Sequence, residues 1–227
     1  MNKYYKGRHA RNYNRQWRTF TERTLAEVLP ILEKVVLLRQ REHRLRILDV
    51  ACGTGILLKR LAVRFPDADL FGVDASRDML NQACITLSDL SHVHVEQAEV
   101  GPGERANLPF APASFDIITC TNTLHYFSDP EATLRGLQHL LVPTGHLVME
   151  DYVLRDSPFP CNAFEWVIKL YDPQHIRLYT HAEAEALCRH VDLHTRKAQT
   201  FPIDLFCQGW ILLLERTDSR NEVAFNE

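Results

Sequence analysis

The chain has 227 residues, of which 45% are hydrophobic and 24% charged, and its formal net charge at pH 7 is −3. This composition indicates one globular domain that is large enough to bury a substantial core. No apolar run approaches the roughly 18 residues of a membrane span, and no apolar segment follows the first six residues, so we expect neither a membrane helix nor a secretory signal. The six cysteines are widely spaced without a Cys-x-x-Cys pair. They predict reduced thiols in a cytoplasmic protein and argue against disulfides or a zinc site.

Positive charge is concentrated at the beginning of the chain, where residues 1–46 carry 12 Lys and Arg against 4 Asp and Glu. A basic arm can bind nucleic acid or an acidic partner. The solvated face of amphipathic helices is the more ordinary origin of such a pattern, so we do not expect nucleic acid as the main partner.

The same region is predicted to be helical. Over residues 14–43, apolar side chains recur at steps of three and four residues, which gives one apolar helix face with a break at Pro30. That face comprises Leu25, Val28, Leu29, Leu32, Val35 and Val36. Tyr13 and Trp17 lie among arginines before it and are expected to pack on the core, although such a pattern can also stack bases or cover a small-molecule pocket.

A strand, a glycine-containing turn and a helix come next. Residues 46–50 read as the strand, the turn contains Gly53 and Gly55, and a leucine-rich helix begins at Ile56. The two glycines let the backbone approach a ligand closely, and the free N–H groups of the new helix point towards it. This order is typical of a nucleotide-type α/β domain.

Strands and helices then alternate along the chain. Further strands are predicted at 69–74, 92–95, 115–120 and 146–150, with helices after Ser76 and Asp129 as N-caps. A capping box at Thr180 opens a last helix to about His190, and extended stretches follow at 193–201 and 208–215. The alternation predicts an α/β fold with a parallel sheet that helices cover on both faces.

The glycine turn and the segments after it resemble one family in particular. Asp49-x-Ala51-x-Gly53-x-Gly55 is similar to motif I, (D/E)-x-G-x-G-x-G, of class I S-adenosylmethionine-dependent methyltransferases, with Ala51 in place of the first glycine. A dinucleotide fingerprint would instead need glycine where Leu58 stands. Segments similar to those of the small-molecule methyltransferases follow in order: 107–110, 114–118, 124–130 and 141–145. The resemblance covers about residues 45–152.

The resemblance implies a Rossmann-like three-layer sandwich. Its seven-stranded, mostly parallel sheet would have the order 3-2-1-4-5-7-6, with a helical N-terminal cap. We therefore expect residues 1–227 to form a single methyltransferase domain. Its parts would be the cap at 1–43, the cofactor-binding core at 44–153, a substrate-cap insertion at 154–179, and a closing helix and strands at 180–216.

The resemblance also implies the cofactor-binding residues. Asp49 would hold the methionine amino end of S-adenosylmethionine, and Asp74, at the end of the second strand, would accept hydrogen bonds from the ribose hydroxyls. The adenine amino group would meet Glu99, which we favour, or Glu104. The full predicted set is Asp49, Ala51, Gly53, Thr54, Gly55, Asp74, Ala75, Met79, Ala98, Glu99, Thr121 and Asn122.

The expected activity is methyl transfer to a small-molecule acceptor with release of S-adenosylhomocysteine, by a monomer or homodimer. Tyr13, Trp17, His125 and Tyr152 are predicted to line the acceptor pocket, and His125 is the candidate general base. No metal is expected, because the eleven histidines form no ligand-spaced cluster. Oxygen, nitrogen and carbon acceptors stay open. So do two other functions: a nicotinamide-dependent oxidoreductase, and a non-catalytic binding module or partner subunit.

Overall fold

The computed structural model describes residues 5–38, 43–155, 168–170 and 172–216. The helices in these ranges are α1 (Arg8–Gln16), α2 (Arg18–Leu38), α3 (Ile56–Arg64), α4 (Arg77–Thr86), α5 (Pro130–Leu140) and α6 (His181–Arg189). The strands are β1 (Arg46–Val50), β2 (Asp69–Asp74), β3 (Val93–Gln97), β4 (Phe115–Thr121), β5 (Leu141–Leu154), β6 (Leu193–Pro202) and β7 (Cys207–Arg216). Short 3₁₀ turns lie at Glu104–Asn107 and Leu124–Tyr126.

Within the described residues, seven strands form one sheet in the order β3-β2-β1-β4-β5-β7-β6. The first five strands of this order are parallel, and β7 is antiparallel to both β5 and β6. This arrangement confirms the predicted sheet order. The carboxyl ends of the five parallel strands meet at one edge, where open α/β sheets bind their ligands.

Helices cover both faces of the sheet. On one face, α5 and α6 pack on strand residues that include Leu48, Ile118 and Trp210. On the other face, α2, α3 and α4 pack on residues that include Ile47 and Val148. Since both faces are covered, the central strands are apolar almost throughout, and six of the seven residues of β4 are buried. The predicted three-layer architecture is confirmed.

The predicted helix starts agree with the observed caps. Ser76 Oγ accepts a hydrogen bond from Met79 N at 3.3 Å, and Asp129 Oδ1 accepts one from Ala132 N at 3.0 Å. Thr180 forms the expected capping box with Glu183.

The predicted break at Pro30 is wrong, because Pro30 lies inside α2. Proline in a helix interior costs roughly 3 kcal/mol. Burying each apolar neighbour contributes about 1.5–3 kcal/mol, so the packing of this face outweighs the proline. Those buried neighbours are Val28, Leu29, Ile31 and Leu32. The chain instead changes direction at Trp17, between α1 and α2.

The fifth strand is longer than the predicted 146–150. The strand already begins at Leu141, so residues 143–145 belong to β5, and the pairing of β4 with β5 shifts register between Phe115 and Ile117. The long antiparallel ladder with β7 extends the other end of β5 to Leu154.

Part of the expected substrate cap lies outside the described residues, including its aromatic residues Phe159, Phe164, Trp166 and Tyr171. The cysteines in the described ranges are all free thiols. None of the helices described here combines the length and apolar content that crossing a bilayer requires.

One close contact fixes α5 against the turn at Glu104–Asn107. A Cβ atom added at Gly136 would lie 2.0 Å from the backbone N of Ala106 and 2.7 Å from its Cα. Backbone atoms cannot rotate away from such an overlap as a flexible side chain could. Only glycine therefore allows this approach of helix and turn.

We expect Gly136→Ala to lower the free energy of unfolding by about 1–3 kcal/mol, the range for overpacked sites. Urea unfolding followed by circular dichroism measures the change. His139→Ala, at an exposed position of the same helix, is the matched control and should stay within about 0.5 kcal/mol of the parent. Equal stability of the two variants would show that α5 can move away from the turn without loss.

Candidate active site

A cavity of about 470 Å³ opens at the carboxyl ends of the parallel strands. Its walls come from the segments that follow β1, β2, β3 and β4, from Tyr152 of β5, and from α1 and α2. Elements distant in the sequence therefore converge at this edge of the sheet.

The turn after β1 brings the backbone to the floor of the cavity. Ala51, Gly53 and Gly55 all have left-handed φ values, of 56°, 55° and 76°. A Cβ atom at Gly53 would contact only Met79 Cε, at 3.4 Å, so at this residue the backbone is bare towards the cavity. Ala51 holds a conformation that glycine adopts more easily, which fits its place in the motif.

Asp74 connects this turn to the end of β2. Its Oδ2 accepts a hydrogen bond from Gly53 N at 2.9 Å, and its Oδ1 accepts one from Ser76 N at 2.7 Å. Burial raises the pKa of the carboxyl, and these two hydrogen bonds oppose the rise. Each oxygen keeps a second lone pair, so Asp74 can accept further bonds from a ligand.

Asp49 is the second carboxyl at this edge, and it is buried, with only 2% of the residue exposed. Thr119 Oγ1 donates a hydrogen bond to its Oδ1 at 2.7 Å. Burial, with a smaller contribution from the charge of Asp74, raises the pKa of Asp49 to about 7. The carboxyl is therefore only partly ionised near pH 7, and a nearby positive charge would favour its charged form.

The charges around the cavity have one sign. Among the described residues that line it, there is no Lys or Arg. The acidic lining residues are Asp49, Asp74, Glu99, Asp172 and Asp204. This set of charges favours a cationic or neutral ligand and disfavours phosphate.

The ends of β3 and β4 complete the inner wall. Glu99 and Val100 reach the cavity after β3, whereas Glu104 does not. Asn122 N donates to Glu150 O at 2.8 Å, and in the part of the chain that the structure describes, the buried Oδ1 of Asn122 has no hydrogen-bond partner. A polar ligand group could satisfy this oxygen.

His125, in the 3₁₀ turn after β4, is held by Asp151 of β5. Its Nδ1 lies 2.8 and 2.9 Å from the two carboxylate oxygens, and its backbone N donates to Oδ2 at 3.1 Å. Sequence reasoning missed Asp151. The register of β4 against β5, in which Thr121 lies opposite Glu150, brings Asp151 next to the turn that carries His125, and the sequence does not report that register.

The N-terminal segment is fastened over the cavity. Asn14 Oδ1 accepts a hydrogen bond from Thr54 Oγ1 at 2.5 Å, and the carbonyl of Tyr5 accepts one from Ser76 Oγ at 2.8 Å. Tyr5 Oη also donates to Asp172 Oδ2 at 3.1 Å. These contacts join α1 and its flanking residues directly to the turns after β1 and β2.

Most of the predicted site residues meet at this cavity. Those that line it are Asp49, Ala51, Gly53, Thr54, Asp74, Ala75, Met79, Glu99, Thr121, Asn122, Tyr13, Trp17, His125 and Tyr152. Two predicted residues do not: Gly55 packs against Leu87 at the start of α3, and Ala98 bonds through its backbone to the carbonyl of Asp74. No group of metal-ligating side chains occurs among the residues with described positions.

Known proteins match the same core. A family model described as a methyltransferase domain matches residues 48–147. The uncharacterized methyltransferase YcgJ of Bacillus subtilis is 28% identical over 172 residues, which cover 75% of this chain and 64% of that protein. The crystal structure of YcgJ superposes with a TM-score of 0.65 at 20% identity, over 82% of this chain and 97% of that one.

Two further relatives have more specific names. The ubiquinone biosynthesis O-methyltransferase of Acinetobacter baylyi is 32% identical over 45% of this chain and 41% of its own length. The demethylmenaquinone methyltransferase of Thermus thermophilus is 35% identical over 56% of this chain and 54% of its own length. The chain thus spans less than two thirds of the length of these relatives. These matches agree with the sheet order and with the glycine turn after β1, and together they support a class I S-adenosylmethionine-dependent methyltransferase.

Proposed function

We propose that this protein binds S-adenosylmethionine and transfers its methyl group to a small-molecule acceptor, releasing S-adenosylhomocysteine. The observation that carries the proposal is the pair of carboxyls beside the exposed backbone of Gly53: Asp49, which is buried, and Asp74, which is partly buried. Two uncompensated acids in a cavity without Lys or Arg among its described lining residues suit a positively charged ligand.

The lining residues fit this cofactor, which supplies a methyl group on a cationic sulfonium. Asp49 receives its ammonium group, and Asp74 accepts hydrogen bonds from its ribose hydroxyls. Ala75 and Met79 form an apolar wall for adenine, with Glu99 at the adenine amino group. Ala51, Thr54, Thr121 and Asn122 flank the methionine moiety, and the free Oδ1 of Asn122 provides one more acceptor.

The acceptor lies against the aromatic side chains of α1, α2 and β5. Tyr13, Trp17 and Tyr152 form this part of the cavity with His125. Because the transfer itself needs little covalent help, the protein contributes mainly by aligning the acceptor with the methyl group, which can be worth about 7–11 kcal/mol.

The same charges disfavour the nicotinamide alternative. A dinucleotide carries a pyrophosphate that normally sits at the helix N-terminus after β1. Here that position is beside Asp49 and Asp74, and no described lining residue is cationic.

The proposal also includes the setting and extent of the protein. The free thiols of the described cysteines support a reducing, cytoplasmic location. Residues 1–227 form a single domain in this proposal.

The proposal predicts that Asp74→Asn binds S-adenosylhomocysteine about 10- to 100-fold more weakly than the parent. Asparagine keeps the shape but replaces charge-assisted hydrogen bonds with weaker neutral ones. Titration calorimetry measures the affinity, and Asp67→Asn, an exposed aspartate between α3 and β2, is the matched control. Absence of binding to the parent protein at high micromolar ligand would refute the proposed function.

The pKa of about 7 for Asp49 predicts that binding depends on pH. Below pH 7 the carboxyl is mostly protonated, and an ammonium ligand must displace that proton. We expect the affinity for S-adenosylhomocysteine to rise by up to about tenfold per pH unit towards pH 7 and then to level off. Calorimetry between pH 5.5 and 8 tests this, and Asp49→Asn should remove the slope. A slope that persists in Asp49→Asn would assign the titration to another group.

A further inference from the structure

The aromatic part of the cavity ends at a fixed histidine. Four rings contact one another in order. The distance between ring centroids is 6.1 Å from Trp17 to Phe20, 5.3 Å from Phe20 to Tyr152, and 5.1 Å from Tyr152 to His125. We call these four residues the aromatic wall. On the basis of the proposed function, we propose that the acceptor is a neutral aromatic or enolic hydroxyl compound, methylated on oxygen, and that His125, positioned by Asp151, takes its proton.

The hydrogen bonds of Asp151 determine which nitrogen of His125 carries hydrogen. Tyr152 N donates to Oδ1 at 2.9 Å, and His125 N donates to Oδ2 at 3.1 Å. Both oxygens therefore act as acceptors for groups that can only donate. Nδ1, at 2.8 Å from Oδ1, must then donate as well, which leaves Nε2 as the basic nitrogen of the neutral ring.

Nε2 is the polar atom that His125 presents to the cavity. Nδ1 faces Asp151, so Nε2 is the ring nitrogen that remains for a ligand, and the side chain lines the cavity while only 3% exposed. The ring is held in this orientation by Asp151 and by contacts with Tyr126 at 4.0 Å and His175 at 5.3 Å. The carbonyl of His125 accepts a hydrogen bond from Ile176 N at 2.9 Å, which fixes the turn from a third side.

The charges exclude anionic acceptors. A carboxylate or phosphate group would meet only acidic side chains among the described lining residues. A phenolate formed in solution would be disfavoured for the same reason. A hydroxyl acceptor would therefore enter in its neutral form and lose its proton only in place, next to the sulfonium.

The acids near the aromatic wall already accept hydrogen bonds from the protein. Asp172 accepts hydrogen bonds from Tyr5, Tyr126 and Gln174 N. Asp204 Oδ1 accepts two backbone N–H groups, from Phe206 and Cys207, both at 2.7 Å. The aromatic wall itself offers flat apolar surface and one base, which suits a ring that carries a hydroxyl group.

The transfer step balances in atoms and charge. The acceptor O–H bond breaks as its proton moves to Nε2 of His125, and an oxygen electron pair forms the new bond to the methyl carbon. The electron pair of the broken S–C bond returns to sulfur. The products are a methyl ether, S-adenosylhomocysteine and an imidazolium beside Asp151, which afterwards releases its proton to solvent.

Several titratable groups surround His125 and must be separated from it. They are Asp151 and Tyr152 on β5, Tyr126 on its own turn, His175 on the following segment, and Tyr13 and Asp172 beyond Tyr152. Burial raises the pKa of Tyr126 and Tyr152, and raises that of Tyr13 to about 12, so these phenols stay neutral near pH 7. The variant His175→Gln separates the two imidazoles.

The first test needs no turnover. In the complex with S-adenosylhomocysteine at pH 8, nitrogen–proton correlation NMR of the imidazoles should find His125 protonated on Nδ1 and not on Nε2. Asp151→Asn should give a mixture of the two forms, because an amide can face Nδ1 with either its oxygen or its nitrogen. A parent ring protonated on Nε2 would overturn the assignment of His125 as base.

The second test uses radiolabelled S-adenosylmethionine with 1-naphthol, 1-aminonaphthalene and 1-naphthoate, which share size and shape. We expect methylation of the naphthol alone. With S-adenosylhomocysteine binding intact, transfer to the amine or the carboxylate, or to none of the three, would overturn the acceptor class while leaving cofactor binding in place. Loss of S-adenosylhomocysteine binding would instead count against the proposed function itself.

The third test asks whether His125 acts on the proton. His125→Gln should lower kcat/KM for 1-naphthol by about 10²- to 10⁴-fold and leave the affinity for S-adenosylhomocysteine within about twofold. The deficit should shrink for the more acidic 4-chloro and 4-nitro derivatives, since less help is needed to remove their proton. The acid limb of the pH profile should disappear in His125→Gln but persist in His175→Gln and in the exposed control His181→Gln. If His125→Gln lowered kcat/KM equally for all the naphthols and kept the acid limb of the pH profile, His125 would be a purely structural residue.

Discussion

The hydrogen bond from Gly53 N to Asp74 Oδ2 is the contact on which the site depends. It joins the turn after β1 to the end of β2, so the bare backbone and the carboxylate occupy fixed relative positions. The turn that makes this bond has left-handed φ values at Ala51, Gly53 and Gly55. The parallel pairing of β1 with β2 keeps the two strand ends level, with Asp49 opposite Gly72 and Val50 opposite Val73.

The acids of the site reduce the stability of the empty protein. Burial raises the pKa of both Asp49 and Asp74, which means that their charged forms are less favourable here than in water. A positively charged ligand stabilises these charged carboxylates, so part of its binding free energy comes from removing their unfavourable burial without a partner. Sites of this kind commonly trade stability for function. The well-packed faces of the sheet offset the loss elsewhere.

The order of the strands and most residues of the cavity could be predicted from the sequence, because both are encoded in local patterns. The order of β1, its turn and α3 is encoded locally by apolar runs and by Gly53 and Gly55, and the ordered segments after them suggested the family. The position of Asp151 was not accessible in this way, because it depends on the register of β4 against β5. Pro30 misled the helix prediction, since a local rule was overridden by burial of the surrounding apolar face. The hydrogen bond between Tyr5 and Asp172 joins residues that are 167 positions apart. A periodic pattern in the sequence predicts only local structure, so it could not predict this contact.

The attachment of the N-terminal segment bears on how a ligand enters the cavity. Gly7 N bonds to Asp78 of α4, Tyr5 bonds to Ser76, and Asn14 bonds to Thr54, so the segment rests on the structure around the turns after β1 and β2. In the proposed function, these are the turns that would hold the cofactor. Separation of α1 from them would then widen the path for exchange of spent for fresh cofactor, and opening movements of this kind limit turnover in many enzymes.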